Sequence, residues 1–124
     1  SLTIASGSAA SGGVKLTSGA TSWVSASDAR LKNVTGTYTN ALADIAQIQA
    51  VKFTWKHDTE NKPCVGVIAQ SVEAVVPEAV DHVRNSKDDD TDYLGVRYTE
   101  LIPLLIASIQ ELKAEFDAYK ATHP

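Results

Sequence analysis

Methionine is absent from this sequence, and cysteine occurs once, at Cys64. One cysteine cannot form an intrachain disulfide, so the cross-linked framework of a small secreted domain is excluded. Its setting in an apolar run predicts a buried small hydrophobe. Position 1 also lacks methionine, as expected of a fragment. Aromatic residues make up only 6% of the chain, so aliphatic side chains have to build the core. Hydrophobic residues reach 44% of 124 positions, enough for one ordinary domain. An excess of positive charge is missing too: 11 Lys and Arg stand against 15 Asp and Glu, a net charge of -4. That balance excludes nucleic acid and an anionic membrane as expected partners. No run approaches the ~20 apolar residues of a membrane span, and no basic patch with an apolar core marks a signal peptide at the N-terminus. A soluble chain made in a reducing compartment is expected.

The chemistry of bound groups is equally sparse. His57, His82 and His123 lack metal-ligand spacing. Asp88-Asp89-Asp90-Thr91-Asp92 lacks the glycine and terminal glutamate of a helix-loop-helix calcium site, and reads as a solvated loop. No glycine-rich nucleotide fingerprint is present, and Gly66 reads as a packing or bulge residue. No cofactor and no metal are expected.

Residues 1–26 are rich in Ser, Gly, Ala and Thr. Ser1-Leu2-Thr3-Ile4 and Val14-Lys15-Leu16-Thr17 alternate with period two, and Gly7, Gly12-Gly13 and Gly19 punctuate them. Short strands joined by turns are predicted, with Trp23-Val24-Ser25 as the last. So little apolar surface cannot offset the entropy lost on ordering the chain. The segment needs a partner, either an upstream domain or copies of itself.

From Tyr38 the pattern becomes helical, with Leu42, Ile45 and Ile48 on one face. Val51 to Lys56 and Cys64 to Ile68 read as a strand hairpin across a polar turn. A short helix from Gln70 ends before Pro77, and strands follow at Ala79–Val83 and Tyr93–Tyr98. The last helix is predicted over about Thr99 to Tyr119, with Thr99 as cap, Glu100 in the first turn and Pro103 tolerated near the start. Ile102, Ile109 and Phe116 take heptad a positions, and Leu105, Leu112 and Tyr119 take d positions. Leu101, Leu104 and Ile106 widen the stripe where the helix packs on its own domain. The seam implies association with copies of the chain. Its Ile-at-a, Leu-at-d pattern does not by itself give a trimer.

Ser27-Asp28-Ala29-Arg30-Leu31-Lys32 lies where the chain changes character. A serine becomes a nucleophile near neutral pH when a base takes its proton, and a lysine amine serves if burial or neighbours lower its pKa. A nucleophile at a compositional border points to a reaction on the chain itself. The bland readings are a surface serine and lysine, with Asp28 capping a turn and Arg30 paired with it.

The hexapeptide, Ala41-Leu42-Ala43-Asp44-Ile45, Phe53-Thr54-Trp55, Gly66-Val67-Ile68-Ala69-Gln70, Val75-Val76-Pro77-Glu78, Tyr93-Leu94-Gly95-Val96-Arg97-Tyr98, Leu101 to Leu105 and Glu111-Leu112 occur in order. Over about residues 27–118 the series resembles the C-terminal intramolecular chaperone domain of phage tailspikes and tail fibres, the peptidase S74 domain. Ser71 departs from the family, which often has an acid there, while Glu73 keeps the second acid.

The resemblance implies a domain that trimerises, guides a β-stranded fibre into its fold and then cuts itself off. Ser27 is then the nucleophile, Lys32 its base, and Ala26 and Asp28 the neighbours of the cut. Residues 1–26 become the end of the upstream fibre and 27–124 the chaperone and autoprotease domain. The family places the cut between Ser27 and Asp28, whereas attack of the Ser27 hydroxyl on the preceding carbonyl places it between Ala26 and Ser27. The expected fold is α+β, with short strands and helices and a long C-terminal helix, assembled as an intertwined homotrimer. The partners are its own copies and the upstream fibre domain. The precursor is a virion tail fibre folded in the host cytoplasm, and the released domain is absent from the mature fibre. The alternative is a non-cleaving fibre tip that binds a receptor, or a plain trimerisation module.

Overall fold

The computed structural model describes residues 2–5, 13–83 and 91–124, with side chains from residue 13 onward. Gly7 and Gly12, and Asp88 to Asp90 of the acidic loop, lie outside the described residues. The chain divides into two units, Ser1–Thr37 and Tyr38–Pro124.

In the first unit the period-two segments pair as an antiparallel meander of β1 (Leu2–Ala5), β2 (Gly13–Leu16) and β3 (Trp23–Ser25). Leu2 faces Leu16, and Leu16 faces Trp23. The turn after β2 is closed by the Ala20 N–H on the Thr17 carbonyl at 2.9 Å. Gly19 stands there at φ 82°, a left-handed conformation that glycine adopts without a Cβ penalty. Every residue from Thr21 to Thr37 is exposed, and none of the buried residues of the described chain belongs to this unit. A three-stranded sheet that buries so little has almost no hydrophobic stabilisation of its own.

The second unit places helices against two hairpins. It runs α1 (Ala41–Ile45), β4 (Ala50–Phe53), β5 (Cys64–Val67), α2 (Ala69–Glu73), β6 (Val80–Val83), β7 (Tyr93–Val96) and α3 (Ile102–Thr122). β4 pairs with β5 and β6 with β7, both antiparallel. The core holds Ala41, Val72, Val76, Ala79, Leu104 and Ala107, with Tyr38, Ile45, Ile48, Val67 and Val96 packed around them. Alanines at 41 and 107 leave room for α1 to lie close on α3. α2 stops at Glu73, and Val76 turns away from helix at φ -135°, as the residue before a proline must. Gly66 pairs with Val51 in regular register, so it is no bulge. A Cβ there would come within 2.7 Å of Tyr98 Oη and 3.2 Å of Phe53, so it is a packing glycine.

Three local expectations are corrected. Thr99 does not cap the last helix. Thr99 and Glu100 lie in a 3-10 turn over Tyr98–Leu101, and α3 starts at Ile102 with no side-chain cap. The chain already enters with helical dihedrals at Leu101, and Pro103 removes one of the N–H groups a cap would serve. Cys64 is only half-buried, because it pairs with Phe53 at the end of the hairpin, away from the core. Ile106 is 53% exposed and lies beside Ile102 and Ile109 on the outer face, while Leu101 and Leu104 pack inward.

Ser108 is buried on the inner face of α3, and its hydroxyl has no partner. An unpaired buried hydroxyl costs stability, and alanine is the better helix former. Ser108→Ala is expected to raise the urea midpoint, a gain of about 1 kcal/mol, measured at fixed protein concentration. An unchanged or lower midpoint would show that the hydroxyl is satisfied.

Tyr38 donates from Oη to Asp44 Oδ2 at 3.0 Å. Burial pushes its phenol up to about 12, helped by the bond to Asp44 and by the charges of Asp44, Glu78 and Glu111. A raised pKa favours the neutral form in the fold. The stabilisation is therefore complete below the unfolded value of ~10 and is lost as pH rises from there through about 12. Tyr38→Phe is expected to flatten the alkaline fall in the urea midpoint across that window. An identical fall in the variant would assign it to other groups.

Candidate functional site

The end of β3 leads through Ala26 and Ser27 into a single 3-10 turn, Ala29–Leu31. Asp28 caps it in extended conformation, with φ -65° and ψ 133°, and its carboxylate accepts the Arg30 N–H at 2.9 Å. The turn closes through the Leu31 N–H on the Asp28 carbonyl at 2.9 Å and the Lys32 N–H on the Ala29 carbonyl at 3.2 Å. Lys32 leaves it extended, at φ -118° and ψ 138°. One tight turn between two extended arms brings residues five apart to the same side. Lys32 Nζ accordingly donates to Ser27 Oγ at 2.7 Å.

The Arg30 side chain folds back on the cap. Its Nε reaches Asp28 Oδ1 at 3.1 Å and its Nη2 reaches Oδ2 at 2.9 Å. These bonds, and the Arg30 N–H after them, hold the Asp28 carboxyl below the usual carboxylate range. Ser27 and Lys32 are both exposed within the unit. The ammonium donates to the hydroxyl. After losing a proton, the amine lone pair faces the same hydroxyl and can take its proton across the same contact.

The second candidate feature is the outer face of α3. Ile102, Leu105, Ile109, Leu112, Phe116 and Tyr119 are 51%, 47%, 67%, 56%, 56% and 56% exposed. Leu101, Leu104, Ala107, Ser108 and Glu111 face inward on the same helix. α3 is thus apolar on two sides, and only one of them meets its own unit. Everything beyond Glu111 is exposed. A helical half this short is marginal in water. Its exposed ion pairs, Lys113 with Asp117 at 2.6 Å and Lys120 with Asp117 at 3.8 Å, contribute little.

Other residues singled out in the sequence stand apart from a site. His57 stacks on Trp55, His82 pairs with Asp92 at 2.9 Å, and His123 stacks on Tyr119. Among the described residues no group of three could hold a metal ion, and no helix is long and apolar enough to cross a membrane. Ser71 has a local role. Its hydroxyl donates to the Ile68 carbonyl at 2.6 Å and accepts the Gln49 N–H at 3.0 Å, tying α2 to the start of the hairpin.

One tie was not read from the sequence. Glu111 Oε2 accepts the Leu42 N–H at 3.0 Å, so α3 caps α1 from 69 residues away. Asn40, the local candidate, is left-handed at φ 58° and makes no cap bond. The available signal was a carboxylate at position 111, in register with the inward Leu101, Leu104 and Ser108.

The family described as the chaperone of endosialidase, peptidase S74, matches the chain over residues 27–81. The match opens on Ser27 and runs to Asp81 in β6, so β7 and α3 follow it. Comparison with curated proteins gives no match. Over the matched residues, which open on the serine that contacts Lys32, the chain is similar to the chaperone domain of the peptidase S74 family.

Proposed function

We propose that this domain trimerises through α3, templates an upstream β-stranded fibre of the same chain, and then releases itself by a cut at Ser27. The observation that carries the reading is the 2.7 Å contact of Lys32 Nζ with Ser27 Oγ, at the residue where the family match begins. The unpartnered stripe on α3 supports the assembly step, and the unburied meander supports a need for neighbouring chains. A fibre of interleaved strands has high contact order, so register has to be set before long-range pairing becomes favourable. Helix association is local and quick by comparison, and fixes the number of chains first.

The chemistry balances in either of two ways. The Ser27 hydroxyl attacks the Ala26 carbonyl through a five-membered ring while the neutral Lys32 amine takes the hydroxyl proton. The Ala26–Ser27 amide nitrogen leaves protonated, and water hydrolyses the resulting ester to an Ala26 carboxylate and a restored serine. Alternatively, water attacks the Ser27 carbonyl and the Asp28 nitrogen leaves protonated as an amine, giving a Ser27 carboxylate. Where the serine hydroxyl of a neighbouring chain attacks instead, the Asp28 amine leaves first. Water then hydrolyses the ester joining the two chains, which frees the Ser27 carboxylate and restores that serine. Attack by Ser27 on its own carbonyl is excluded by the strained four-membered ring. Neither route uses a cofactor. The pair is exposed within its unit, so the neighbouring chains of the assembled precursor exclude the water and tune the lysine. The precursor folds in the host cytoplasm, and the virion fibre keeps residues 1–26 or 1–27.

The test is a denaturing gel and intact-mass measurement of the full chain expressed with an upstream segment. Two fragments that meet beside Ser27 are expected, and the position of one serine residue decides the side. A permanently intact wild-type chain, or a cut more than one residue from Ser27, would overturn the reading. The second reading, a non-cleaving tip that binds a receptor, draws on one observation. A groove of about 700 Å³ in the second unit is lined by Trp55, His57, Val83 and Tyr93. It gives the Ser27–Lys32 contact no role.

A further inference from the structure

Among residues 1–37 the charged side chains are Lys15, Asp28, Arg30 and Lys32, so Asp28 is the only acid available within the unit that holds the candidate dyad. Asp28 stands four positions before Lys32, at the other side of the same turn. An exposed ammonium next to an unpaired carboxylate is drawn to it, because a charge-assisted bond is stronger than one to a neutral hydroxyl. Lys32 instead lies on Ser27, and both Asp28 oxygens are taken by Arg30 through Oδ1 to Nε and backbone N and through Oδ2 to Nη2. No buried scaffold enforces this. The Arg30 side chain is 89% exposed and that of Asp28 46%. The geometry of the turn rests on local bonds alone.

We propose that Arg30 is a positioning residue for the self-cleavage proposed above. Its two-point grip on Asp28 keeps the one carboxylate of residues 1–37 away from Lys32 and leaves the lysine to Ser27. The planar fork matches a carboxylate at both oxygens, a match that the point charge of a lysine reproduces only in part.

The inference rests on the dyad reading, and the experiment separates the two. The first-order rate of self-cleavage is followed in the full chain with its upstream segment across a pH series, for wild type, Ser27→Ala, Arg30→Gln, Arg30→Lys and the double variant Arg30→Gln with Asp28→Asn. Asp28→Asn alone serves as the control for the residue beside the cut. Sedimentation checks each variant for assembly. Arg30→Gln is expected to cut about tenfold more slowly near neutral pH, with the rising limb of the pH–rate profile moved to higher pH, because the freed carboxylate holds Lys32 in its ammonium form. Asn in place of Asp28 still offers an oxygen to cap the turn but attracts no charge. The double variant is therefore expected to return the limb to its Asp28→Asn position and recover most of the lost rate. Arg30→Lys should fall between wild type and Arg30→Gln.

An Arg30→Gln rate and profile equal to wild type would overturn the inference. A slower rate with an unmoved profile and no recovery in the double variant would also overturn it, since a general weakening of the turn gives that pattern. A wild-type chain that never cuts, or a Ser27→Ala chain that still does, removes the dyad reading and this inference with it. A Ser27→Ala block with Arg30 indifferent removes this inference alone.

Discussion

Ser27→Ala is expected to leave the chain uncut while its assembly is unchanged. Ser27 is exposed two residues past β3, so replacing Oγ by hydrogen removes the contact with Lys32 and almost no packing. If Ser27 is the nucleophile, the loss is total within the time of the assay, and intact-mass spectra show one species. The partner variants tell the roles apart. Removing a positioned general base typically costs ~100- to 10,000-fold, so Lys32→Ala should leave slow residual cutting. Lys32→Arg should not rescue it, because a guanidinium stays protonated and cannot take the serine proton. Cutting of Ser27→Ala at the same bond would return Ser27 and Lys32 to the role of a surface pair that merely closes a turn.

The second large effect is expected on α3. Leu112→Asp should convert the assembly to monomers at micromolar concentration, read by sedimentation, and should slow the cut. Leu112 lies on the outer face at 56% exposure, one position past the last residue that touches the body of its unit. The substitution therefore spares the core. In a trimer it brings three carboxylates into the seam and removes three leucines, each worth about 1.5–3 kcal/mol when fully buried. That total is large against the stability of a small domain. Persistence of a trimer would place the interface elsewhere and leave the stripe on α3 unexplained. Cutting at full rate in a verified monomer would show that the turn alone suffices.

The legible parts of the fold were those where one local pattern has one local cause. Period two gave β1, β2 and β4. The β4–β5 hairpin and the strands β6 and β7 were legible, though not the pairing of the last two, and the seam on α3 occupies one face as its heptad spacing requires. The Ser27 to Lys32 spacing placed the two side chains in contact, because capping by Asp28 and a single 3-10 turn are short-range events. What sequence did not reveal depends on partners far along the chain. Glu111 looked like a surface acid of a charged helix, and only the approach of α1 makes it a cap. Ile106 looked like part of the inward stripe because the helix is apolar on two sides, and only packing tells which side meets the body. Thr99 has the side chain of a cap but lacks the extended backbone that a cap needs, since the chain coils from Tyr98 onward.

If Ser27 and Lys32 cut the chain as proposed, the side of the cut decides whether the pair outlives its reaction. A cut after Ser27 leaves the hydroxyl on the fibre and carries the amine away with the released piece, so neither product retains a working pair. The event is then self-extinguishing, and no fibre carries a residual protease into the next round of assembly. A cut before Ser27 sends both groups away together, on a product whose first residue is the serine and whose new α-amine lies beside the lysine. Two nitrogens then compete for the hydroxyl proton, and the fragment keeps the parts of a nucleophile without a substrate tethered to it.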